Sequence, residues 1–185
     1  LKTHPVMTEE NETSYSLNMK CYEAGIASFA ELLHDLSLGR EQRCKQNPEE
    51  RTYFGKSARP SAESILSWKN SAEIMDAYIR AFDFGPEAND FGIAKLAMEK
   101  DFVLVSGLEI SESESEKSPG TITRITEDAL IVATTTRDIA IRSVRHLNGR
   151  SLSISDLIAK YRLHEGYQFP EIEKAKAESI REQYT

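Results

Sequence analysis

Near the middle of the chain, Lys56 and Arg59 follow Tyr53-Phe54-Gly55 in a stretch without hydrophobic periodicity. A lysine point charge and an arginine fork both suit phosphate oxygens, the guanidinium through two parallel hydrogen bonds. Rings and a glycine beside them would border a pocket. Lys56, Arg59 and Tyr53 are therefore the candidate substrate-binding residues, weighed against the plainer reading of exposed linker charges. Other chemistry-bearing residues are less promising. His4, His34, His146 and His164 lie far apart with no ligand-spaced neighbours, so no zinc site is expected. His4 and His34 lack a carboxylate at a recognisable spacing, so neither reads as a general base. Cys21 and Cys44 are the only cysteines. They read as reduced thiols of a cytosolic chain, Cys21 facing a core. Arg137, Arg142, Arg145 and Arg150 line one strand and its exit loop; a solvated edge is the first reading, a docking patch for an acidic partner the second.

These residues need elements to position them. Tyr22, Ile26, Phe29, Leu33 and Leu36 recur at spacings of a helical face, from about Thr13 to a stop at Gly39. Gly25 within it marks either a close contact or a break. Residues 40–64, with Pro48, Gly55 and Pro60, form a long connection of the kind that is functional or a linker. A second helix is expected with Asn70 as N-cap, Glu73 completing a capping box, and Ile74, Tyr78 and Phe82 facing inward. Gly85-Pro86 closes it.

Short strand patterns follow: Ala94 to Met98, Phe102 to Val105, Thr121 to Ile125, Leu130 to Ala133 and Ile139 to Ile141. Between the second and third lies an acidic, serine-rich loop, Ser111 to Ser118, holding Glu112, Glu114 and Glu116. Five short strands with turn signals between them predict a small barrel or sandwich. A helix is expected from about Ser153, with Asp156 in its first turn and Leu157, Ile158 and Tyr161 inward. The segment from Pro170 to Tyr184 is helix-competent but mostly charged, and reads as a connecting helix.

The chain has 185 residues, 39% hydrophobic and 29% charged, with a net charge of −7. No apolar run reaches the roughly 18–20 residues that span a bilayer, so no membrane partner is expected. The N-terminus has neither an initiator Met nor a signal h-region, so a domain cut from a longer protein is expected. Between Pro86 and Tyr167 carboxylates outnumber cations, which speaks against nucleic acid, since affinity for it comes largely from neutralised phosphates.

Taken in order, Thr52-Tyr53-Phe54-Gly55-Lys56, Arg59-Pro60, Ile65-Leu66-Ser67-Trp68, the helix ending in Ile79-Arg80-Ala81-Phe82, and Pro119-Gly120-Thr121-Ile122 resemble the linker and C-terminal domain of formyltransferases that use 10-formyltetrahydrofolate. Ser67 stands where that family usually has Asp before the Trp. The resemblance implies an α+β fold: a helix and linker remnant of an α/β formyltransferase domain, then a small OB-like antiparallel β-barrel with flanking helices. It implies residues 1–40 as the end of the catalytic domain, 41–67 as linker, 68–168 as the C-terminal domain and 169–185 as the charged connecting helix.

The family's catalytic Asn, His and Asp and its folate pocket fall upstream of the position matching Leu1. No catalytic or cofactor-binding residue is therefore carried over, and the fragment is expected to be inactive by itself. In sugar-modifying members, basic residues of the matching linker lie near the substrate phosphate, which adds to the reading of Lys56 and Arg59. The intact enzyme would pass a formyl group from 10-formyltetrahydrofolate to an amine, with an amino sugar nucleotide or a carrier-bound aminoacyl group favoured over initiator tRNA. Its partners would be its own upstream catalytic domain and a carrier protein or neighbouring domain of a larger cytoplasmic synthetase. The rival reading is a non-catalytic docking or spacer module.

Overall fold

The computed structural model describes residues 2–55, 64–85 and 92–172. The chain divides into two compact units, Leu1–Ala58 and Arg59–Thr185.

The first unit is built on α1, Ser14–Ser37. Its start is a reciprocal cap: Ser16 N donates to Thr13 Oγ1 at 3.1 Å, and Thr13 N donates to Ser16 Oγ at 3.0 Å. Gly39, at φ +64°, follows its end. The helix runs unbroken through Gly25, where an added Cβ would meet nothing within 4 Å. The extended N-terminal segment is fastened to α1 by ion pairs, Lys2 with Glu31 and Asp35, and Glu9 and Glu12 with Lys20.

The expected apolar stripe is present, but α1 buries none of its residues. Ile26 is 74% exposed and Phe29 60%. Cys21, expected to face a core, is exposed as well. A helix buries a stripe only against a second layer, and none opposes this face among the described residues of the unit. Beyond α1 the backbone is irregular to Gly55 apart from one 3-10 turn, Pro48–Glu50.

The second unit holds α2 (Ala72–Ala81), β1 (Lys95–Ala97), β2 (Phe102–Glu114), β3 (Ile122–Ile125), β4 (Leu130–Val132), β5 (Arg137–Arg145), β6 (Ser151–Leu152) and α3 (Ile154–Tyr161). The strands make one antiparallel sheet in the order β1-β2-β5-β4-β3, with β6 paired to β5. The architecture is α+β, and the expected barrel is corrected to an open sheet of six strands whose end strands β1 and β3 do not pair. Both ends are nonetheless covered. Ile65 makes a parallel bridge to Lys95 beside β1, and residues 166–169 hydrogen-bond to Gly120 and Ile122 beside β3. Covered ends leave few free backbone groups for unwanted strand pairing.

The expected serine-rich loop begins later than its composition suggests. Ser111–Glu114 belong to β2, because β5 pairs with this strand as far as Glu114↔Arg137 and supplies the ladder that local propensity does not. The cap of α2 also moves by one residue: Ser71, rather than Asn70, accepts from Ile74 N. The inward face of α2 is Ala72, Met75, Ile79 and Phe82, while Ile74 is 55% exposed and Tyr78 half-buried. The expected stripe keeps Phe82 but gives way to the face carrying Ala72, whose small side chain allows close approach to the sheet. Helix α3 begins as expected, with Ser153 Oγ accepting from Asp156 N at 3.0 Å, and buries Ile154 and Leu157.

Trp68 anchors the second unit. It is 3% exposed, stacked on Phe169 at 5.5 Å, and packed against Gly120, where an added Cβ would lie 3.0 Å from Trp68 Cγ. Glu171 clamps the same corner, accepting from Ser67 Oγ at 2.6 Å and from Trp68 N at 2.7 Å. Ser67 in the place of Asp thus donates to a carboxylate instead of supplying one. The connecting helix expected after Pro170 falls outside the described residues beyond Ile172.

Candidate functional site

Of the three candidate substrate-binding residues, Lys56 and Arg59 lie outside the described residues. Tyr53 is 75% exposed in irregular backbone, with the Arg51 guanidinium carbon 5.2 Å from its ring centre, and Phe54 is 85% exposed. Such rings are available for a partner surface or a ligand. A cation over one ring adds to what an anionic group would meet there.

The arginine row divides. Arg137 reaches Glu73 at 2.7 Å, and Arg142 pairs with Glu109 at 2.9 Å and with Asp128. The Arg137 hydrogen bond, first among its causes, holds the Glu73 carboxyl down at about 2. The Glu109 hydrogen bond in turn raises the Arg142 pKa. Two of the four arginines are thus neutralised by the unit's own carboxylates. Arg80 behaves as expected of a surface helix residue, bonding Asp76 at 2.8 Å.

The histidines stay apart. His4 lines a shallow cavity of about 410 Å³ with Met7, Lys20 and Glu23, and His164 Nδ1 is 3.2 Å from the Arg162 carbonyl. Among the described residues, no three of His, Cys, Asp and Glu stand close enough together to hold a metal ion.

One cluster was invisible in the sequence. The turn between β1 and β2 supplies Glu99, Lys100 and Asp101. The end of α3 supplies Lys160, Tyr161 and Arg162, and Tyr167 completes a cavity of about 480 Å³. Tyr161 Oη donates to Asp101 Oδ2 at 2.9 Å, and Lys160 Nζ donates to Tyr161 Oη at 2.6 Å. The same ammonium lies 3.4 Å from Asp101 Oδ2. Burial, first, raises the phenol pKa of Tyr161, and that of Tyr167, where the charge of Glu99 adds to it. Asp101 Oδ1 is shut from solvent and has no donor among the described residues. Arg162 caps α3 in the left-handed region, φ +54° and ψ +40°. Asp101 and Tyr161 are sixty positions apart, and only the fold joins them, so no motif could have signalled the cluster.

A wider groove of about 990 Å³ runs beside α2 and β2, lined by Ile79, Phe82, Leu104, Leu147 and Arg145 among others. Its wall also includes Gly85 and Gly92, and the residues that join them, 86–91, lie outside the described ones.

Comparison with known proteins agrees with this architecture. The family model "Formyl transferase, C-terminal domain" matches residues 60–162, more than half of the chain. Methionyl-tRNA formyltransferase of Nitrosospira multiformis is 24% identical over 164 residues, which cover 89% of this chain and 50% of that protein. The Marinobacter nauticus protein of the same name is 28% identical over 149 residues, covering 80% and 45%. The chain therefore spans about half the length of the curated relatives it matches. Among solved structures, a HypX variant from Aquifex aeolicus superposes with a TM-score of 0.57 at 15% identity, over 86% of this chain and 28% of that one. No helix among the described residues is long and apolar enough to cross a membrane. The chain belongs to the formyl transferase family, through that family's C-terminal domain.

Proposed function

We propose that this chain is the C-terminal part of an enzyme that moves a formyl group from 10-formyltetrahydrofolate to a substrate amine. The observation that carries the reading is the unburied stripe of α1, Tyr22 to Leu36, in a chain whose match to methionyl-tRNA formyltransferases extends well beyond the C-terminal domain itself. A stripe this regular is a core face, and an upstream catalytic domain is the layer that would cover it. When bound, 10-formyltetrahydrofolate would supply the formyl group: the amine would bond to the formyl carbon as the carbon–N10 bond breaks, and a base would pass the amine proton to N10. The chain's own residues are assigned none of these steps. Tyr53, Lys56 and Arg59 are assigned the holding of a substrate phosphate beside the catalytic domain.

The acceptor is an amino sugar nucleotide or an aminoacyl group on a carrier protein, in a cytoplasmic biosynthetic enzyme. The excess of carboxylates in the second unit disfavours tRNA as acceptor. The test is formyl transfer by the longer protein, with its upstream sequence, read as release of tetrahydrofolate in the presence of each acceptor. Lys56→Ala and Arg59→Ala should each weaken substrate use by about 1.5–3 kcal/mol, the range for a hydrogen bond to a charged group. Their melting temperature should barely move. Unchanged kinetics in both variants would remove the linker site. A protein with no transfer to any amine would leave the chain as a docking or spacer module.

A further inference from the structure

We infer that the cavity between the β1–β2 turn and the end of α3 binds a small, hydroxyl-rich phosphate ester of the sugar phosphate class. Its volume of about 480 Å³ lies within the range of small-molecule sites, and all seven of its lining residues are titratable. Their hydrogen-bonding capacity divides by use. Lys160, Tyr161 and Asp101 Oδ2 satisfy one another at 2.6 to 3.4 Å. Lys100 and Arg162 line the same cavity, and neither side chain joins that network. Two such cations, one of them a planar fork, suit a phosphate.

The acceptors tell the other half. Glu99 places a carboxylate in the lining beside Asp101. Asp101 Oδ1 is itself shut from solvent, so Glu99 is the acceptor that a ligand hydroxyl entering the cavity would meet. Tyr161 and Tyr167 contribute aromatic surface against which the apolar face of a sugar ring can pack. An inorganic anion would use the cations and leave the carboxylates unserved. A neutral sugar would do the reverse.

Arg162 supplies the decisive experiment. Its backbone is in the left-handed region, which glycine adopts without steric cost. Arg162→Gly therefore removes the guanidinium while relieving backbone strain, so loss of binding cannot be blamed on loss of fold. Calorimetry on this chain would use glucose 6-phosphate, glucose, inorganic phosphate and adenosine monophosphate. The expected result is a dissociation constant below about 1 mM for glucose 6-phosphate. Glucose and inorganic phosphate should each bind at least about tenfold more weakly, since each leaves one set of groups unserved. Adenosine monophosphate binding as tightly would move the site to nucleotides and overturn the sugar phosphate assignment. Arg162→Gly and Lys100→Ala should each weaken glucose 6-phosphate about tenfold or more. Arg162→Gly should also melt no lower than the parent. No binding of glucose 6-phosphate at about 5 mM, or undiminished binding by Arg162→Gly, overturns the inference. The site needs no upstream domain, so this result is independent of whether the longer protein transfers formyl groups.

Discussion

Replacing Gly120 with alanine tests the central packing argument, because two separable penalties meet at that position. Gly120 has φ +85°, where an L side chain is strained by about 1–2 kcal/mol. Its backbone cannot relax cheaply: Gly120 N donates to the Ala133 carbonyl at 2.8 Å, and its own carbonyl accepts from Phe169 N at 2.9 Å. The new Cβ would lie 3.0 Å from Trp68 Cγ and 3.2 Å from Cδ1 and Cδ2. Trp68 is 3% exposed and also stacked on Phe169, so it has little room to move. Overpacking of this kind costs about 1–3 kcal/mol. Lower entropy of the unfolded chain offsets about 0.4–1 kcal/mol. The net expectation is a loss of about 2–4 kcal/mol.

Gly149 provides the control. It has nearly the same φ, +83°, but nothing within 4 Å of an added Cβ. Gly149→Ala should therefore cost only the strain less the entropy, about 0.5–1.5 kcal/mol. Urea unfolding followed by tryptophan emission suits both variants, since Trp68 is the one tryptophan of the sequence and reports its own corner. The native emission of Gly120→Ala should also shift, while that of Gly149→Ala should not. If the two variants lose the same stability within about 0.5 kcal/mol, contact between Gly120 and Trp68 is not what fixes this glycine.

Other consequences are open to direct measurement. Leu157, fully buried on the inner face of α3, should cost about 2–5 kcal/mol when cut to alanine, read by urea unfolding. Glu73 has its pKa depressed to about 2 from the ordinary 4.5, so its contribution to stability is present above pH 4.5 and is lost as pH falls toward 2. Arg137→Met should flatten the fall in melting temperature across that window, and an unchanged acid limb would show the pair to be idle. Binding of tRNA should be undetectable by gel shift at about 0.15 M salt, whereas a shift that weakens steeply with salt would reveal a phosphate-binding face.

Much of this fold could be read locally because several boundaries are set by a few adjacent residues. Ser153 and Asp156 mark the start of α3, Gly39 follows the end of α1, and β4 follows its apolar run, while β5 extends well beyond the expected Ile139 to Ile141. Local sequence falls short where a distant partner decides the outcome. Ser111–Glu114 look like a solvated loop until β5 pairs with them. Ile74 and Met75 are equally good inward residues until the sheet selects the Ala72 face. The stripe of α1 carries full information about helix type and none about what covers it. The cavity at Asp101 and Tyr161 is the extreme case, since its residues acquire meaning only when a turn and a helix end sixty positions apart are brought together.

The distribution of charge bears most on the acceptor, and it does so through pairing rather than net count. A face that binds a polynucleotide must offer cations whose counterions are displaced by phosphates. Arg137 is already engaged by Glu73, and Arg142 by Glu109 and Asp128, so their charges are largely cancelled within the sheet's own surface. Glu109, Glu112 and Glu114 lie along β2, which pairs with the β5 strand that carries both arginines, so an approaching phosphate chain would meet repulsion beside each cation. A small ligand escapes this difficulty. It needs only one or two donors in a recess, and the carboxylates that would repel a polynucleotide can instead accept its hydroxyl or amine hydrogens. On the function proposed above, a surface whose cations are already paired would suit a compact acceptor with a single phosphate-bearing arm better than tRNA. Formyl transfer by the longer protein, assayed with an amino sugar nucleotide beside initiator tRNA, should therefore favour the former. Equal rates on both would mean that surface pairing does not govern the choice.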